Sequence, residues 1–592
     1  MTVRSVVRRR PGPAIVVAAA LLLSLIMVFR VQLASGFDLG FGDRADGLIE
    51  IAILEHWRNV WTGHAGWTLT GYFHPHSDTL GYNDGYFLYG VTYSLWRIIA
   101  DPFLADGLNV LAWKAFGFLA AFRLCSATFR WDWRTACLVA TLWTVSNNLF
   151  VQAGHAQLAS VALLPFVLTL ATSAARNEIR GSRWKAWLGV AALSATLGAW
   201  LLTSFYMAWF TLFSACLYGS VWLLLGGRRA ATRMFSVGRE HAATLTWSVL
   251  SLAIAVAPFA AVYLPKLRES GGESYAEMRR YLATPLVDMI NVGPGNYAWG
   301  WMFAAIANAA GRLFPSDPRL AERVFRGEHE AGIPIVTFLL FATAAWFLGV
   351  RRRTAAGEPV SQAWRVLAIC TAVGWLLTFQ MGALSPWGAA YWLVPGARGI
   401  RVVLRYELWL TLPTLLVAAA AWRDRLGHLR TRRPWLWALA IATLFAENLT
   451  SESAARLQRS RQTAAFDAVS APPEGCRAFY VVSARRSAEL YRGGGFDAVY
   501  PHNVDAMFLA QRWRVPTVNG FSTFTPPDWA FASPTAGDYD ARVARYVAKW
   551  RMDHVCRLDM RSRSPWRVLA APGSGDAGAS SGGGSPGGRS PR

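Results

Sequence analysis

The sequence AIVVAAALLLSLIMVF occupies residues 14–29, and its only polar side chain is that of Ser24. It follows Arg8–Arg10 and precedes Arg30, an order that is also typical of a signal peptide. The run is long for a signal peptide, however, and the residues after Arg30 offer no small-x-small cleavage site. We therefore expect an uncleaved first spanning helix over 13–34, with Arg30 extending to the far interface.

Similar apolar runs recur along the chain. The 592 residues are 54% hydrophobic and only 16% charged, whereas soluble domains are about 25% charged. Because a spanning helix needs roughly 20 apolar residues, the pattern predicts an all-α polytopic membrane protein with about eleven transmembrane helices. The predicted spans are 13–34, 108–127, 135–150, 157–175, 185–203, 205–226, 243–264, 332–350, 363–382, 403–422 and 434–449.

The net charge of +23 is distributed in short arginine clusters between the apolar runs. This distribution is typical of cytoplasmic loops that face anionic lipid, and it argues against a nucleic-acid partner. The clusters are Arg8–Arg10, Arg176–Arg183, Arg228–Arg239, Arg351–Arg353 and Arg423–Arg433.

The segment GYFLYGVTYSLWRIIA, residues 85–100, decides the topology. If it crossed the membrane, every later arginine cluster would lie outside. Its length and its internal Arg97 favour an interfacial or re-entrant helix instead. We therefore expect a protein of the bacterial inner membrane whose N-terminus is cytoplasmic and whose C-terminal domain is periplasmic.

This topology divides the chain into three parts. A membrane domain covers 1–449, and its two long external loops are 36–106 and 265–331. An extracytoplasmic α/β domain follows over 450–571, because apolar runs alternate there with helical patterns. Residues 572–592 form a disordered Gly/Ser/Pro tail. In the α/β domain, Cys476 and Cys556 either form a disulfide or stay free, and the sequence leaves both outcomes open.

The first external loop concentrates carboxylates at the membrane surface. Asp38, Asp43 and Asp46 lie just past the first span, a predicted helix over 48–60 carries His56, and Asp84 follows. These residues predict a catalytic base or a binding site at the outer interface. In the alternative interpretation, Asp38 solvates a turn and Asp46 caps the helix.

A second polar group lies in the external turn before the 403–422 span. Arg398, Arg401 and Arg405 are spaced three and four residues apart, so a helix starting near Gly399 would place Arg401 and Arg405 on one face. Two guanidinium groups so placed can bind a phosphate. The alternatives are interfacial snorkelling and pairing with Glu407.

Two further polar segments have two interpretations each. Glu328 and Glu330 form a secondary candidate site or, as we favour, a solvated loop. His155 and Gln157 either face the site or, as we favour, form hydrogen bonds between helices.

Several short motifs, taken in order, resemble those of GT-C glycosyltransferases, more particularly bacterial YfhO-like and related GT-C integral membrane proteins. GT-C enzymes take a sugar from a polyprenyl-phosphate carrier. The motifs span most of the chain: Gly42-Asp-Arg-Ala-Asp46, Leu54-Glu-His56, Leu80-Gly-Tyr-Asn-Asp84, Gly154-His-Ala-Gln-Leu158, Pro395-Gly-Ala-Arg-Gly-Ile-Arg-Val402 and Thr517-Val-Asn-Gly-Phe-Ser522.

The resemblance implies an inverting transfer to an envelope glycan, glycolipid or protein at the outer face. Asp43 is the first candidate for the general base and Asp46 the second. The substrate-binding candidates are Asp84, His56, Arg398, Arg401 and Arg405. Asp84 is also a candidate ligand for a divalent cation, and the metal stays unknown. The Asp-Glu pair of many protein mannosyltransferases is not present, so the acceptor and the identity of the base stay open.

Two other classes of function fit the composition. A transporter or flippase of lipid-linked glycans would show inverted repeats and charges at the bilayer midplane, and the polar residues cluster in outer loops instead. A non-catalytic envelope scaffold is the third alternative. No phosphate-binding loop motif occurs, which argues against an internal nucleotide site.

Overall fold

The structure, a computed structural model, describes residues 12–313, 327–382, 384–451, 454–483, 496–522, 524–532, 534 and 536–569. The predicted tail at 572–592 lies outside the described residues. The chain divides into two compact units. The first comprises 1–70, 78–464 and 522–527, and the second comprises 71–77, 465–521 and 528–592.

The first unit is helical. Five of its described helices are long and apolar enough to cross a membrane, as expected of a helical membrane protein. Their bounds are Pro102–Thr128, Ala156–Ile179, Arg183–Thr203, Phe205–Glu240 and Ala242–Ser270.

Helices also form at the other six predicted spans, but these are shorter or carry more charge. They are Pro13–Val28, Trp133–Thr144, Ile335–Ala345, Gln362–Leu377, Arg405–Arg432 and Pro434–Ala446. The total of eleven spans therefore stays a prediction.

The segment that decides the topology forms the ten-residue helix Phe87–Trp96. Ten residues rise about 15 Å, roughly half of the hydrocarbon core, so this helix is too short to span a bilayer. Ile98 and Ile99 just after it are 78% and 75% exposed. The interfacial or re-entrant placement of this helix stays a prediction.

Smaller elements complete the first unit. Strand Leu39–Gly40 pairs antiparallel with Leu457–Gln458, which draws residues 450–464 into this unit rather than the second. The remaining described helices of four residues or more are Arg30–Ala34, Asp46–Trp61, Thr79–Tyr82, Asn147–Val151, Tyr275–Met278, Gly300–Leu313, Trp346–Arg351 and Trp387–Leu393, and Arg459–Asp467 crosses the boundary between the units.

The second unit contains a three-stranded sheet. Strand Ala478–Ser483 runs parallel to Val555–Asp559, which pairs antiparallel with Trp566–Val568. Its helices are Phe496–Trp513 and Tyr539–Lys549. Residues 71–77, which the sequence analysis assigned to the first external loop, also belong here. The backbone N–H groups of Phe73 and His74 donate to the carbonyls of Asn519 and Thr517, so this segment lies against the end of the sheet.

A disulfide joins Cys476 to Cys556, which resolves the alternative that the sequence left open. It closes a loop with a sequence separation of 80 residues. Closing so long a loop limits the conformations of the unfolded chain and stabilises the folded one.

We therefore expect Cys476→Ser to lower the stability of the second unit by about 2–4 kcal/mol. Resistance to a protease and the thermal unfolding midpoint both report this loss. Cys216→Ser is the matched control, because Cys216 is an exposed free cysteine and its replacement should change neither quantity. Unchanged stability in Cys476→Ser would contradict the expectation.

Candidate functional site

Gly42 shapes the acidic loop. Its φ of +73° lies in the left-handed region that favours glycine. A Cβ atom at this position would lie 2.9 Å from the Cα of Gly47 and 3.2 Å from the carbonyl oxygen of Gly154. The loop can approach residue 154 this closely only without a side chain at position 42. The close approach is what brings Asp46 next to His155.

Asp43 and Asp46 occupy different environments. The Asp43 Oδ1 atom accepts hydrogen bonds from the backbone N–H groups of Ala45 (2.8 Å) and Asp46 (3.0 Å). Asp46 is the first residue of helix Asp46–Trp61, and its side chain is 45% exposed. The alternative interpretation that Asp46 caps this helix is therefore wrong. Ala45 occupies the N-cap position, and the hydrogen bonds of Asp43 stabilise the turn before the helix.

The pKa values of the two carboxyl groups shift in opposite directions. Burial, and then the charge of Asp46, raise the pKa of Asp43. Burial also acts to raise the pKa of Asp46, but the hydrogen bond and charge of His155 outweigh it, together with Arg405 and Arg401. The pKa of Asp46 is therefore lowered, and its carboxyl group is ionised at neutral pH.

His155 lies between two carboxylates. Its Nδ1 atom is 3.3 Å from Oδ2 of Asp46, and its Nε2 atom is 3.5 Å from Oε1 of Glu328. The sequence analysis favoured hydrogen bonding between helices for His155 and Gln157. Gln157 does accept a hydrogen bond from the Tyr86 hydroxyl at 2.9 Å. His155 instead joins the acidic loop to the segment that carries Glu328.

Glu328 forms a two-point ion pair with Arg405. The Nη2 and Nε atoms of Arg405 donate to Oε1 and Oε2 of Glu328 at 2.6 and 3.2 Å. The interpretation of Glu328 as a solvated loop residue is therefore wrong. Local sequence gives no signal for this pair, because the two residues are separated by 77 positions.

Neighbouring contacts hold the segment after Glu328 in place. His329 Nδ1 is 2.9 Å from Oδ2 of buried Asp288, and the Asn148 side chain donates to the carbonyl oxygen of Ala331 at 2.9 Å. Burial acts to raise the pKa of Glu328, but the charges of Arg405 and His155 outweigh it and lower the pKa. Glu328 is therefore ionised in its pair.

Asp84 lies in the same electrostatic environment. Its Oδ1 atom accepts a hydrogen bond from the backbone N–H of Phe205 at 3.1 Å, at the start of helix Phe205–Glu240. Burial raises the pKa of Asp84, while that hydrogen bond and the charges of Arg405 and His155 oppose the shift. Asp84 therefore accepts a hydrogen bond at the start of helix Phe205–Glu240, and it lies near Arg405 and His155.

The three predicted arginines, Arg398, Arg401 and Arg405, lie in different environments. Arg405 is buried against Glu328, and its guanidinium carbon lies 5.5 Å from the centre of the Tyr206 ring. Arg401 is half-buried and its charge acts on Asp46 and Glu328. Its guanidinium carbon is 5.8 Å from the Tyr281 ring centre, and no carboxylate of the described chain forms an ion pair with it.

Helix Arg405–Arg432 starts later than the sequence predicts. It begins at Arg405 rather than near Gly399, so Arg401 and Arg405 do not share a helix face. Arg405 pairs with Glu328 and not with Glu407, whose carboxylate accepts from Thr378 Oγ1 at 3.1 Å.

Two predicted site residues, His56 and Arg398, do not contact Asp46, Glu328 or Arg405. His56 is fully buried, its Nε2 is 3.1 Å from the carbonyl oxygen of Trp67, and burial lowers its pKa to about 4. Arg398 is exposed, with its guanidinium carbon 4.9 Å from the centre of the Trp392 ring.

We call the residues that converge the polar cluster. It is defined as Asp46, Asp84, His155, Glu328, Arg401 and Arg405, with Tyr206 packed beside them. These residues come from five stretches that are far apart in the sequence, and all of them lie in the first unit. Asp46, an ionised and half-exposed carboxylate, can accept a proton, and Arg401, which forms no ion pair with a described carboxylate, can bind an anion nearby.

The polar cluster does not fit a divalent cation. Among the described residues, no group of three or more His, Cys, Asp or Glu side chains is arranged to hold a metal ion. Glu328 is already neutralised by Arg405, and Asp46 contacts His155. The oxygen-rich, negatively charged set of ligands that Mg²⁺ prefers is therefore not formed.

A second acidic pair consists of Glu50, one turn along the helix from Asp46, and Asp106 of helix Pro102–Thr128. Oε1 of Glu50, Oδ1 of Asp106 and the hydroxyl of Tyr89 are buried and form no hydrogen bond within the described chain. Burial, followed by the charges of Asp106 and Asp46, raises the pKa of Glu50 well above its usual value. Folding therefore favours the neutral form of Glu50.

This shift predicts the pH dependence of stability. The pKa of Glu50 is higher in the folded protein than in the unfolded chain. Glu50 therefore contributes stability that is fully present below its pKa in the unfolded chain, and this stability is lost as the pH rises through its pKa in the folded protein. Glu50→Gln should therefore stabilise the protein at pH 8 by about 1 kcal/mol or more and flatten the dependence. Thermal unfolding from pH 5 to 9 measures this. Exposed Glu358→Gln is the control, and a Glu50→Gln protein that is less stable at every pH would contradict the prediction.

Comparison of the chain with protein-family models and with curated protein sequences found no match.

Proposed function

We propose that this chain is a membrane glycosyltransferase that moves a sugar from a polyprenyl-phosphate carrier to an acceptor hydroxyl of the cell envelope at the outer face. The observation that carries the proposal is the polar cluster. In it, the acidic loop after the first helix and the arginine turn at 398–405 meet beside one another. A base and an anion-binding group are the two functions that such a transfer requires.

Asp46 is the base in this proposal. It removes the proton from the acceptor hydroxyl, and the acceptor oxygen forms a bond to the anomeric carbon of the sugar. The bond between that carbon and the phosphate oxygen breaks, and the carrier phosphate leaves with the electron pair. Attack opposite the leaving group inverts the anomeric configuration. Asp46 takes precedence over Asp43, because Asp43 is engaged by two backbone N–H groups while Asp46 is ionised and half-exposed.

Arg401 binds the leaving phosphate in this proposal. Phosphate is anionic and forms strong hydrogen bonds with guanidinium groups. Arg405 would have to give up its two-point pair with Glu328 before it could bind a ligand. Arg401 forms no such two-point pair with a described carboxylate, although its charge acts on Asp46 and also on Glu273.

The proposed orientation places the polar cluster and the second unit outside the cytoplasm of a bacterial inner membrane. Two observations support it. The disulfide between Cys476 and Cys556 is typical of an oxidising compartment. The arginine cluster at 423–433 lies at the end of helix Arg405–Arg432 opposite to Arg405, and the cluster at 228–239 follows the break at Gly227 in helix Phe205–Glu240.

The test begins with a strain that lacks the protein. Mass spectrometry of its envelope glycans, compared with the parent strain, identifies any sugar that is missing. Purified protein in proteoliposomes is then supplied with that sugar, radiolabelled, on a polyprenyl phosphate. We expect label to move to the acceptor and free polyprenyl phosphate to appear. Label that crosses the bilayer while it stays on the carrier would overturn the proposal and indicate a flippase.

A further inference from the structure

A cavity of about 760 Å³ lies among the helices of the first unit. The cavity is partly open, and it is lined by helices Pro13–Val28, Trp133–Thr144, Ile335–Ala345, Arg405–Arg432 and Pro434–Ala446. The volume is within the range of small-molecule sites, about 300–1,000 Å³. The cavity is therefore large enough to hold part of a ligand.

The walls of the cavity are mostly apolar. They include Leu23, Leu142, Leu340, Leu415 and Ile441. On helix Arg405–Arg432 the lining residues run from Leu415 to Arg430, a rise of about 22 Å. This is more than half of a hydrocarbon core of about 30 Å. An occupant with a long apolar chain matches this length and lining.

One end of the cavity is basic. Arg134, Arg423 and Arg430 line it there, together with a single acidic residue, Asp132. The Asp132 carboxylate is engaged locally, because it accepts from the backbone N–H and the hydroxyl of Thr135. Arg423 is 3.5 Å from Asp424, whereas the described chain gives Arg134 and Arg430 no carboxylate partner. This end therefore carries net positive charge.

The cavity is separate from the polar cluster, since none of the cluster residues lines it. The nearest lining residue on the shared helix, Leu415, is ten positions after Arg405, a rise of about 15 Å. The basic end lies farther still, near Arg430. A ligand bound at the basic end would therefore contact none of the residues of the polar cluster.

We propose that the cavity binds an anionic phospholipid of the surrounding membrane. An acyl chain occupies the apolar walls, and the phosphate headgroup contacts Arg134, Arg423 and Arg430. Basic pockets between transmembrane helices bind anionic headgroups on the cytoplasmic side, and Arg423 and Arg430 belong to the 423–433 cluster expected there. This proposal does not rest on the glycosyltransferase proposal.

The first experiment uses the unmodified, full-length protein. Delipidated protein in detergent is mixed with equal amounts of phosphatidylglycerol and phosphatidylcholine, and native mass spectrometry counts the bound lipids. We expect preferential retention of phosphatidylglycerol. A photoactivatable phosphatidylglycerol should crosslink to peptides that contain Leu138 or Leu415. Equal retention of the two lipids, or crosslinks spread over all exposed helices, would overturn the proposal.

The second experiment uses variants. Arg423→Ala with Arg430→Ala should weaken phosphatidylglycerol binding about fivefold for each arginine removed and leave phosphatidylcholine binding unchanged. Arg228→Ala with Arg229→Ala removes two exposed arginines from another cluster and should have no effect. Ala419→Trp fills the apolar part of the cavity and should reduce retention of both lipids. Equal phosphatidylglycerol affinity in the two arginine double variants would refute the assignment of the headgroup.

Discussion

Asp46→Asn is expected to abolish sugar transfer, lowering the rate by about 10²- to 10⁴-fold, the usual contribution of a general base. Asparagine has nearly the same shape as aspartate but cannot accept the proton of the acceptor hydroxyl. The rate is measured with labelled carrier-linked sugar in proteoliposomes, with the protein level checked by immunoblot. Because the loss affects the chemical step, the rate at saturating donor should fall while donor binding is retained.

Asp43→Asn is the matched control, since Asp43 lies three residues earlier in the same loop. It should cost about 1 kcal/mol of stability as the two hydrogen bonds from backbone N–H groups weaken, and it should retain most of the activity. This outcome would reverse the order of candidates that sequence position favoured. Full activity in Asp46→Asn together with loss of activity in Asp43→Asn would contradict the assignment of Asp46 as the general base.

The pH profile provides an independent test of the same assignment. The pKa of Asp46 is lowered, so its carboxylate stays ionised until the pH falls below the usual value for aspartate, about 4. Activity that depends on this base should therefore persist through mildly acidic pH and fall only below that value. An acidic limb near neutral pH would point to a different base.

Sequence patterns predicted some parts of the site because those parts are local. The acidic loop and the arginine turn each combine several charged residues next to an apolar run, and this combination indicates an interface. The loop supplies Asp46 and Asp84 to the polar cluster, and the turn supplies Arg401 and Arg405.

Other parts of the site could not be predicted because their partners are distant in the sequence. Glu328 looked like an ordinary loop residue, since nothing near it indicates Arg405. Tyr206 follows a predicted span boundary and resembles an interfacial aromatic, yet its hydroxyl accepts from the backbone N–H of Arg401 at 2.8 Å. The boundary of the second unit also depended on long-range hydrogen bonds, those of residues 71–77 with residues 517–519.

Arg405→Ala is expected to destabilise the first unit by about 3 kcal/mol or more, since it leaves the Glu328 carboxylate without its partner. The two side chains are only 11% and 20% exposed, so water replaces little of the lost interaction. Thermal unfolding in detergent measures the loss.

Arg401→Ala should leave the unfolding midpoint nearly unchanged, because Arg401 has no carboxylate ion pair in the described chain. This variant should instead raise the KM for the carrier-linked donor.

A double-mutant cycle separates structural loss from functional loss. If Arg405 acts by neutralising Glu328, then adding Glu328→Gln to Arg405→Ala should recover part of the stability, because no unpaired charge is left buried. If Arg405 also binds phosphate directly, the double variant should regain stability but not donor affinity. Recovery of both properties would assign phosphate binding to Arg401 alone. Failure to recover stability would mean that Arg405 supports the fold through contacts other than Glu328, such as the Tyr206 ring that lies 5.5 Å from its guanidinium carbon.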